Sequence, residues 1–295
     1  GDFDFSKHYR YAAGILFPVA LFGFTSNLMV VIFLRIMPSL NNSFGSLTLS
    51  QAIADCCHQA IFAFYFAPCL FLYNDTIYSA SEEFGFALIF IYEICGMSHV
   101  SISINRFIAV YAPLTYSTLF SKRNTRILIC SYWITAAVTT TYMLKLIDCA
   151  FLLPRGLWIF LFKDTPTCKQ VQWYGDFIKY VIYVVIVAIL DFSSIMRIHY
   201  MNLRHQSGVQ DAVSAQRRSR QMNLVYQAAL QGIFFISELI TYFILSPYAR
   251  NKWEAFLLTT ISWCLVHGMD GFIVLICNRD FRRQIKKVFT RKQYS

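Results

Sequence analysis

The sequence predicts an all-α membrane protein, a seven-transmembrane helix bundle with its N-terminus outside the cell and its C-terminus in the cytoplasm. Three observations predict this fold. Of the 295 residues, 57% are hydrophobic and only 14% are charged, whereas about a quarter of the residues of a soluble domain are charged. Seven apolar runs each reach the roughly 20 residues that a bilayer-crossing helix needs. The Lys and Arg residues are concentrated in alternate loops.

The seven predicted spans, numbered in chain order, cover residues 11–34, 44–72, 84–110, 127–147, 177–200, 223–246 and 254–277. Charged or turn residues bound them: Arg35 follows span one, Asn74 and Asp75 follow span two, Pro113 follows span three, Arg126 and Asp148 flank span four, Asp176 and Arg204 flank span five, Arg220 and Pro247 flank span six, and Lys252 and Asn278 flank span seven. Spans two and three are long enough to tilt or to project from the bilayer. No interdomain linker separates the spans, so we expect one domain over residues 1–295.

The distribution of positive charge selects the orientation of the bundle. With the N-terminus outside, 17 Lys and Arg residues lie on the cytoplasmic side and seven lie on the outer side, as the positive-inside rule requires. The net charge of +10 is therefore explained by topology, and nucleic acid is not an expected partner. In this orientation Asn74, in the motif Asn74-Asp75-Thr76, lies in the first outer loop and is a predicted glycosylation site.

Polar residues inside the spans are the first candidates for function, because such residues are costly in a bilayer and usually face the bundle interior. Asn27, Asp55 and Asp270 lie within spans one, two and seven, and they form a buried polar node if they converge. Inward-facing stripes follow at helical spacing in three spans: Cys95, Ser98, Ser101 and Asn105; Gln227, Gln231, Glu238 and Tyr242; and Trp263, His267 and Asp270. Hydrogen bonding between helices and direct ligand contact both remain open for these stripes.

A candidate ligand pocket lies in the outer half of the bundle. Glu93, Glu238 and His58 are ionisable residues near that half, and the aromatic side chains of Tyr92, Tyr142 and Tyr242 are close to them in sequence or span. Aromatic walls with a few polar groups are typical of ligand pockets. The Glu93 carboxylate can pair with a cationic ligand or with a polar group on a neighbouring helix, and the sequence favours neither.

Enzyme chemistry has no support in the sequence, and neither a cofactor nor a catalytic residue is predicted. The chain has no GxGxxG, P-loop or HExxH motif. Its nine Cys contain no CxxC pair, which excludes a metal scaffold, and no metal is expected. A seven-span transporter or light-driven pump is a rival of a different class, although span seven has no Lys that could hold retinal.

Motifs in the first four spans resemble those of the rhodopsin-like G protein-coupled receptor superfamily. They are Gly23 with Asn27-Leu28-Met29-Val30-Val31, Leu49-Ser50-Gln51-Ala52-Ile53-Ala54-Asp55, Asn105-Arg106-Phe107-Ile108-Ala109-Val110 with Pro113-Leu114, and Trp133. The second half resembles one subgroup, the nematode serpentine receptor class X chemoreceptors. Its matching segments are Gln227-Ala228-Ala229-Leu230-Gln231-Gly232, Asn251-Lys252-Trp253, Phe256-Leu257-Leu258-Thr259-Thr260, Trp263, His267-Gly268-Met269-Asp270-Gly271-Phe272-Ile273-Val274, Asn278 and Phe281-Arg282.

The resemblance implies a chemosensory receptor for an environmental or secreted small molecule, which activates a heterotrimeric G protein. The C-terminal helix of Gα would bind at the cytoplasmic face, with Arg106 as the switch and with Asn105, Tyr116, Arg217 and Arg218 beside it. Asn105 stands where an acidic residue usually pairs with this arginine, so we expect no resting ion pair at that neighbour. Such a receptor resides in the plasma membrane. In a sensory neuron, this is the membrane of the cilium. The alternative within the class is a neuropeptide-type receptor with a peptide ligand.

Three further expectations follow from comparison with the superfamily. No Cys lies at the outer end of span three, and we expect a disulfide between Cys149 and Cys168 in the outer loop before span five, with two unpaired thiols as the alternative. Asp55 and Asp270 could bind a cation, but Cys95 replaces the usual hydroxyl ligand.

Residues 280–289 carry Phe281, Ile285, Val288 and Phe289 at helical spacing among basic residues. This pattern predicts an amphipathic helix on the inner membrane lipids, and a solvated basic tail is the alternative.

Overall fold

The computed structural model describes residues 2–205, 212–278 and 281–283. Within these ranges, nothing is described of the side chains of residues 2–7, 39, 202–205 and 212–221. The predicted amphipathic helix at 280–289 lies mostly outside the described residues. Of that segment, Phe281 is buried and its ring lies 5.8 Å from that of Phe33 in span one.

Seven helices in the described chain are long and apolar enough to cross a membrane. They are His8–Ile36, Ser43–Leu72, Ser81–Tyr111, Lys122–Leu146, Pro166–Met201, Met222–Tyr248 and Lys252–Cys277, and they take the numbers of the predicted spans. The first helix begins at Asp2, the fifth continues to His205 and the sixth begins at Ala212. Short helices at Pro38–Leu40, Asp75–Ser79 and Pro113–Leu119 lie in the loops. The predicted all-α, seven-span fold is confirmed.

The largest difference from the predicted boundaries is at the start of span five. The sequence predicts that span five begins at residue 177, after the charged Asp176. In the structure the helix begins at Pro166. The Thr165 hydroxyl caps it by accepting the Cys168 N–H at 3.1 Å. Asp176 therefore lies inside a helix, where it is buried. A charge that faces the interior of a bundle does not end a span.

Two strands close one end of the bundle. β1 (Phe151–Leu152) and β2 (Leu161–Phe162) pair antiparallel, with Phe151 opposite Phe162. We call this end the hairpin face; it also carries the loops 73–80 and 249–251. The other end, with the loops 37–42 and 112–121, is the Arg106 face. Trp158 and Phe160 of the hairpin are buried, and the Thr260 hydroxyl of span seven donates to the Trp158 carbonyl at 2.7 Å.

Wide helical turns are concentrated near the hairpin face. Five spans contain a π-helical segment there: Phe62–Phe66, Tyr142–Leu146, Val171–Ile178, Ile240–Leu245 and Leu257–Ile261. Such segments are frequently found at functional sites in helical proteins. The hairpin half of the bundle is therefore where the backbone departs most from a regular packing of helices.

The spans divide into a central group and a lipid-facing group. In spans two, three and seven, 56%, 67% and 67% of the most apolar window is buried, whereas spans four, five and six bury 28%, 17% and 28%. Large apolar side chains such as Ile134, Ile189 and Phe192 are exposed on the outer group, as lipid contact requires. The central spans accordingly carry most of the buried polar side chains.

Gly85 is where the hairpin contacts span three. A Cβ at this position would lie 1.7 Å from the Phe151 carbonyl oxygen, whereas a Cβ at Gly14 on span one would meet no atom within 4 Å. The backbone of the hairpin can reach the helix only because residue 85 has no side chain.

We predict that Gly85→Ala destabilises the protein and that Gly14→Ala does not. Overpacking typically costs about 1–3 kcal/mol, which outweighs the roughly 0.5–1 kcal/mol that Ala gains over Gly in a helix. The measurement is the thermal unfolding midpoint of each purified variant in detergent. Equal midpoints for the two variants would contradict the close contact at Gly85.

Candidate functional site: a polar axis between two faces

A buried polar network connects spans one, two, three and seven at mid-bundle. His267 donates from Nδ1 to Asp55 Oδ1 at 2.7 Å, and both residues are 1% exposed. The Cys95 thiol donates to the same oxygen at 3.1 Å. Asn27 donates to the His267 carbonyl at 2.9 Å. Four spans are therefore held through one carboxylate and one histidine.

Asp270 forms the second centre of this network. Its Oδ2 lies 3.1 Å from Gln51 Nε2 and 3.1 Å from His99 Nε2. The next residue has to be glycine, because a Cβ at Gly271 would lie 2.5 Å from Asn27 Oδ1. Spans one and seven thus meet closely beside the polar node.

The three residues of the predicted node, Asn27, Asp55 and Asp270, lie in this network, but other side chains join them. His267 is the link from Asn27 to Asp55, and it belonged to a predicted inward stripe. Gln51 and His99 were not predicted. For Gln51 the sequence did hold a signal, since it lies four residues before Asp55 and therefore on the same helix face.

Asp55, Cys95 and His267 are also arranged as metal ligands would be. One ligand atom from each lies within 4.8 Å of the other two, and a carboxylate, a thiol and an imidazole together suit a transition metal. In the structure these atoms are hydrogen-bonded to one another. Asp55 Oδ1 thus bonds both Cys95 Sγ and His267 Nδ1, and the geometry assigns no ion to them.

Arg106, the predicted switch residue, is buried at the other end of the polar axis. Its guanidinium donates to the Leu224 carbonyl of span six at 2.7 Å and to Ser103 Oγ at 3.3 Å. A guanidinium nitrogen also lies 3.6 Å from Asp191 Oδ1 of span five. Arg106 thus joins span three to spans five and six.

The structure adds an acidic partner for Arg106 that the sequence did not indicate. Asn105 cannot supply the carboxylate, but Asp191, which was not predicted, supplies it from another span. Asn105 instead donates to Ser43 Oγ at 3.2 Å, and Ser43 Oγ lies 2.7 Å from the Tyr116 hydroxyl. Asn105 and Tyr116 therefore tie span three to span two. The side chains of Arg217 and Arg218 lie outside the described residues.

The candidate ligand pocket is a small cavity under the hairpin, which we call the inner pocket. Its volume is about 20 Å³, and it is lined by Ile89, Tyr92, Phe151, Asp176, Glu238, Tyr242, Phe243 and Trp263. The Tyr92 hydroxyl donates to Glu238 Oε2 at 3.1 Å. A larger outer cleft of about 280 Å³ shares the walls Tyr242 and Phe243 and includes Trp173 and Thr259. Two acidic side chains, Asp176 and Glu238, thus face one aromatic chamber.

Three of the six predicted pocket residues lie elsewhere. Glu93 is buried in an ion pair with Lys179 of span five, so a neighbouring helix uses its charge. His58 packs between the rings of Phe62 and His267, at 4.6 and 4.1 Å. Tyr142 is 55% exposed on span four. Tyr92, Glu238 and Tyr242 do line the inner pocket, and Asp176 joins them because span five begins earlier than predicted.

The predicted modifications fall at the hairpin face. Cys149 and Cys168 form a disulfide with Cα atoms 5.2 Å apart, which ties the hairpin to the start of span five. Asn74 is exposed and caps the helix Asp75–Ser79 by accepting the Thr76 N–H at 2.8 Å. Its glycosylation stays a prediction.

The fold is that of a seven-span helix bundle of the rhodopsin type. The structure superposes on the crystal structure of squid rhodopsin with a TM-score of 0.82, covering 96% of this chain and 81% of that one, at 16% identity. That likeness concerns the fold. It agrees with the superfamily motifs in spans one to four.

The sequence comparisons identify the family. The family model of the serpentine-type 7TM GPCR chemoreceptor Srx matches residues 17–278. Serpentine receptor class X 45 of Caenorhabditis elegans is 32% identical over 296 residues, covering 94% of this chain and 81% of that protein. Serpentine receptor class X-43 of the same organism is 26% identical over 258 residues, covering 85% and 78%. The chain belongs to the serpentine receptor class X family: it is a multi-pass membrane protein of the 7TM GPCR chemoreceptor type, and not an enzyme.

We predict that Asp55 and His267 are energetically coupled. His267→Phe leaves the Asp55 carboxylate without its strongest partner, and leaving a buried polar group unsatisfied costs about 1–3 kcal/mol. A second change, Asp55→Asn, removes the unpaired charge and should restore part of the loss.

A double-mutant cycle on the free energy of unfolding in detergent measures this coupling. Additive effects of the two substitutions, within about 0.5 kcal/mol, would contradict it. Cys130→Ser, at an exposed position on span four, is the control for substitution within a span.

Proposed function

We propose that this receptor binds a small molecule at its hairpin face and engages the C-terminal helix of a Gα subunit at its Arg106 face. The hairpin face is then extracellular. Two observations support this orientation: the sequence assigns 17 Lys and Arg residues to the predicted cytoplasmic segments against seven to the predicted outer segments, and the Cys149–Cys168 disulfide belongs in an oxidising compartment.

The shape of the hairpin face favours a small ligand over a peptide. The bundle is covered at this face by the buried side chains of Phe151, Trp158 and Phe160. The inner pocket beneath them has a volume of only about 20 Å³, which is enough for one or two water molecules. A ligand would place a small polar group there and the rest of its body in the outer cleft. A peptide would need the hairpin to leave the bundle.

The single observation that carries the proposal is the position of Arg106. Its guanidinium bonds the Leu224 carbonyl of span six and lies within ion-pair distance of Asp191 of span five. While these contacts persist, spans five and six are held against span three. A cavity for the Gα helix opens when Arg106 releases them, so the structure has the contacts of a resting state.

A series of contacts connects the inner pocket to the polar network at mid-bundle. Trp263 lines the inner pocket, and His267 follows one helical turn later on the same face of span seven. The Tyr92 ring lies 5.4 Å from that of Trp263 and 5.7 Å from that of His267. A ligand that displaces Trp263 or Tyr92 thereby disturbs the Asp55–His267 pair. We place the receptor in the plasma membrane of a chemosensory cell, at its cilium.

We predict that Asp191→Asn raises basal G protein activation and that Arg106→Ala abolishes it. Loss of the carboxylate removes one of the contacts that favour the resting state, and allosteric couplings of this kind typically change equilibria about 5- to 150-fold. The measurement is nucleotide exchange by a panel of Gα subunits in membranes that hold equal amounts of receptor.

Asp164→Asn is the matched control, because Asp164 forms an exposed ion pair with Lys169 at 2.9 Å. Basal exchange by Asp191→Asn equal to that of Asp164→Asn would show that Asp191 does not restrain Arg106.

We predict that Tyr242→Ala and Glu238→Gln weaken the response to an agonist and that Tyr142→Ala does not. Tyr242 separates the inner pocket from the outer cleft, whereas Tyr142 is exposed to lipid. Loss of an aromatic wall or of a charged partner typically costs 1.4 kcal/mol or more, about tenfold in affinity.

The measurement is the half-maximal concentration of any agonist found in a panel of volatile and water-soluble cues. A tenfold increase for Tyr142→Ala, with Tyr242→Ala unchanged, would place the ligand outside the inner pocket.

A further inference from the structure

A third cavity lies between spans three, five and six, and we call it the lateral cavity. Its volume is about 240 Å³, roughly twelve times that of the inner pocket, and none of its lining residues lines the inner pocket or the outer cleft. Small residues create the space: Gly96, Ala188, Ala228 and Gly232 contribute little or no side chain. The cavity is therefore a separate compartment of the bundle.

The lateral cavity is accessible from the lipid. Its rim includes Phe192 of span five and Ile233 of span six, which are 65% and 59% exposed on the outside of the bundle. Both positions lie well inside their spans, nine and eleven residues from the nearer end, so the surrounding medium is hydrocarbon. A molecule that enters here has to be soluble in the membrane.

One charged side chain lines this apolar cavity. Asp191 is 4% exposed, and within the described residues neither of its carboxylate oxygens has a donor at full hydrogen-bond geometry, the Ser103 hydroxyl being its nearby polar neighbour. Its ion pair with Arg106 is 3.6 Å long, beyond hydrogen-bond distance. His99 also lines the cavity, but its Nε2 faces Asp270 and Gln51. A buried carboxylate without a donor favours any partner that brings one.

We propose that the lateral cavity binds a lipophilic amine, with its ammonium group on Asp191 and its hydrocarbon body against spans five and six. The amine supplies the hydrogen bonds that Asp191 lacks, and it shares the carboxylate with Arg106. If the proposed switch holds, the occupied receptor restrains Arg106 less and its basal signalling rises. This ligand acts from the membrane, apart from any cue that reaches the hairpin face.

The glycines of the chain offer a cavity-filling variant and a matched control. A Cβ at Gly232 meets no atom within 4 Å, and the same is true at Gly14 on span one. Gly232→Leu therefore fills the lateral cavity without a backbone clash, whereas Gly14→Leu adds the same side chain to a lipid-facing surface away from it. Asp191→Asn keeps the cavity and removes the charge.

The probe is tritiated 1-adamantylamine, a compact lipophilic amine, and 1-methyladamantane is its neutral competitor. Binding is measured on purified receptor in lipid nanodiscs, with empty nanodiscs as background and without G protein. We expect saturable binding to the unsubstituted receptor and to Gly14→Leu, at least tenfold weaker binding to Gly232→Leu and to Asp191→Asn, and no competition by the neutral compound.

Two outcomes would overturn the proposal. Unchanged binding to Gly232→Leu would place the amine elsewhere, and equal competition by 1-methyladamantane would mean that the cavity accepts hydrocarbon without regard to charge. Because this assay contains no G protein, its result is independent of the switch. Specific binding without any change in nucleotide exchange would contradict the proposed role of Asp191 and leave the amine site standing.

Discussion

Within the hydrocarbon region of a bilayer, a buried polar group has no water to bond, so it has to find its partner within the protein. The Asp55–His267 hydrogen bond is the interaction on which this bundle depends most. It brings spans two and seven together, and Cys95 and the His267 carbonyl extend it to spans three and one. The glycines at 23, 268 and 271 permit the close approach that this bonding requires.

From that centre, the polar groups continue toward both faces. Toward the hairpin, Trp263 and Tyr92 connect the network to an acidic, aromatic chamber. In the other direction, His99 and Asp191 line the lateral cavity, and Asp191 reaches Arg106. The network thus lies mainly on the central spans, whereas spans five and six supply walls of the inner pocket and the partners of Arg106. A displacement at the pocket, at the network or at Arg106 changes which hydrogen-bond partners remain for the other two. This is a physical route for signalling from one face of the bundle to the other.

Much of the fold followed from the sequence because hydropathy and charge act over whole segments: all seven spans were predicted, with boundaries mostly within a few residues. The site was less predictable, because partners lie far apart in sequence. Asp55 and Asp270 were recognised as costly charges, and helical spacing gives the inward face of His267 and Gln51, but it does not tell which carboxylate each of them meets. Asp191 was not predicted as the partner of Arg106 because it lies on another span. Glu93 was placed in the ligand pocket because its pairing with Lys179 depends on the rotation of span five.

The central claim is that Arg106 holds spans five and six in a resting arrangement. The most direct test is the distance between spin labels at Leu119 and Tyr226, two exposed positions near the Arg106 face, in a receptor whose exposed Cys57 and Cys130 are replaced by Ser. We predict a single short distance between the labels for the receptor alone and a longer distance when nucleotide-free G protein binds. In Asp191→Asn without G protein, we predict that part of the population shifts to the longer distance. One unchanged distance under all three conditions would contradict it.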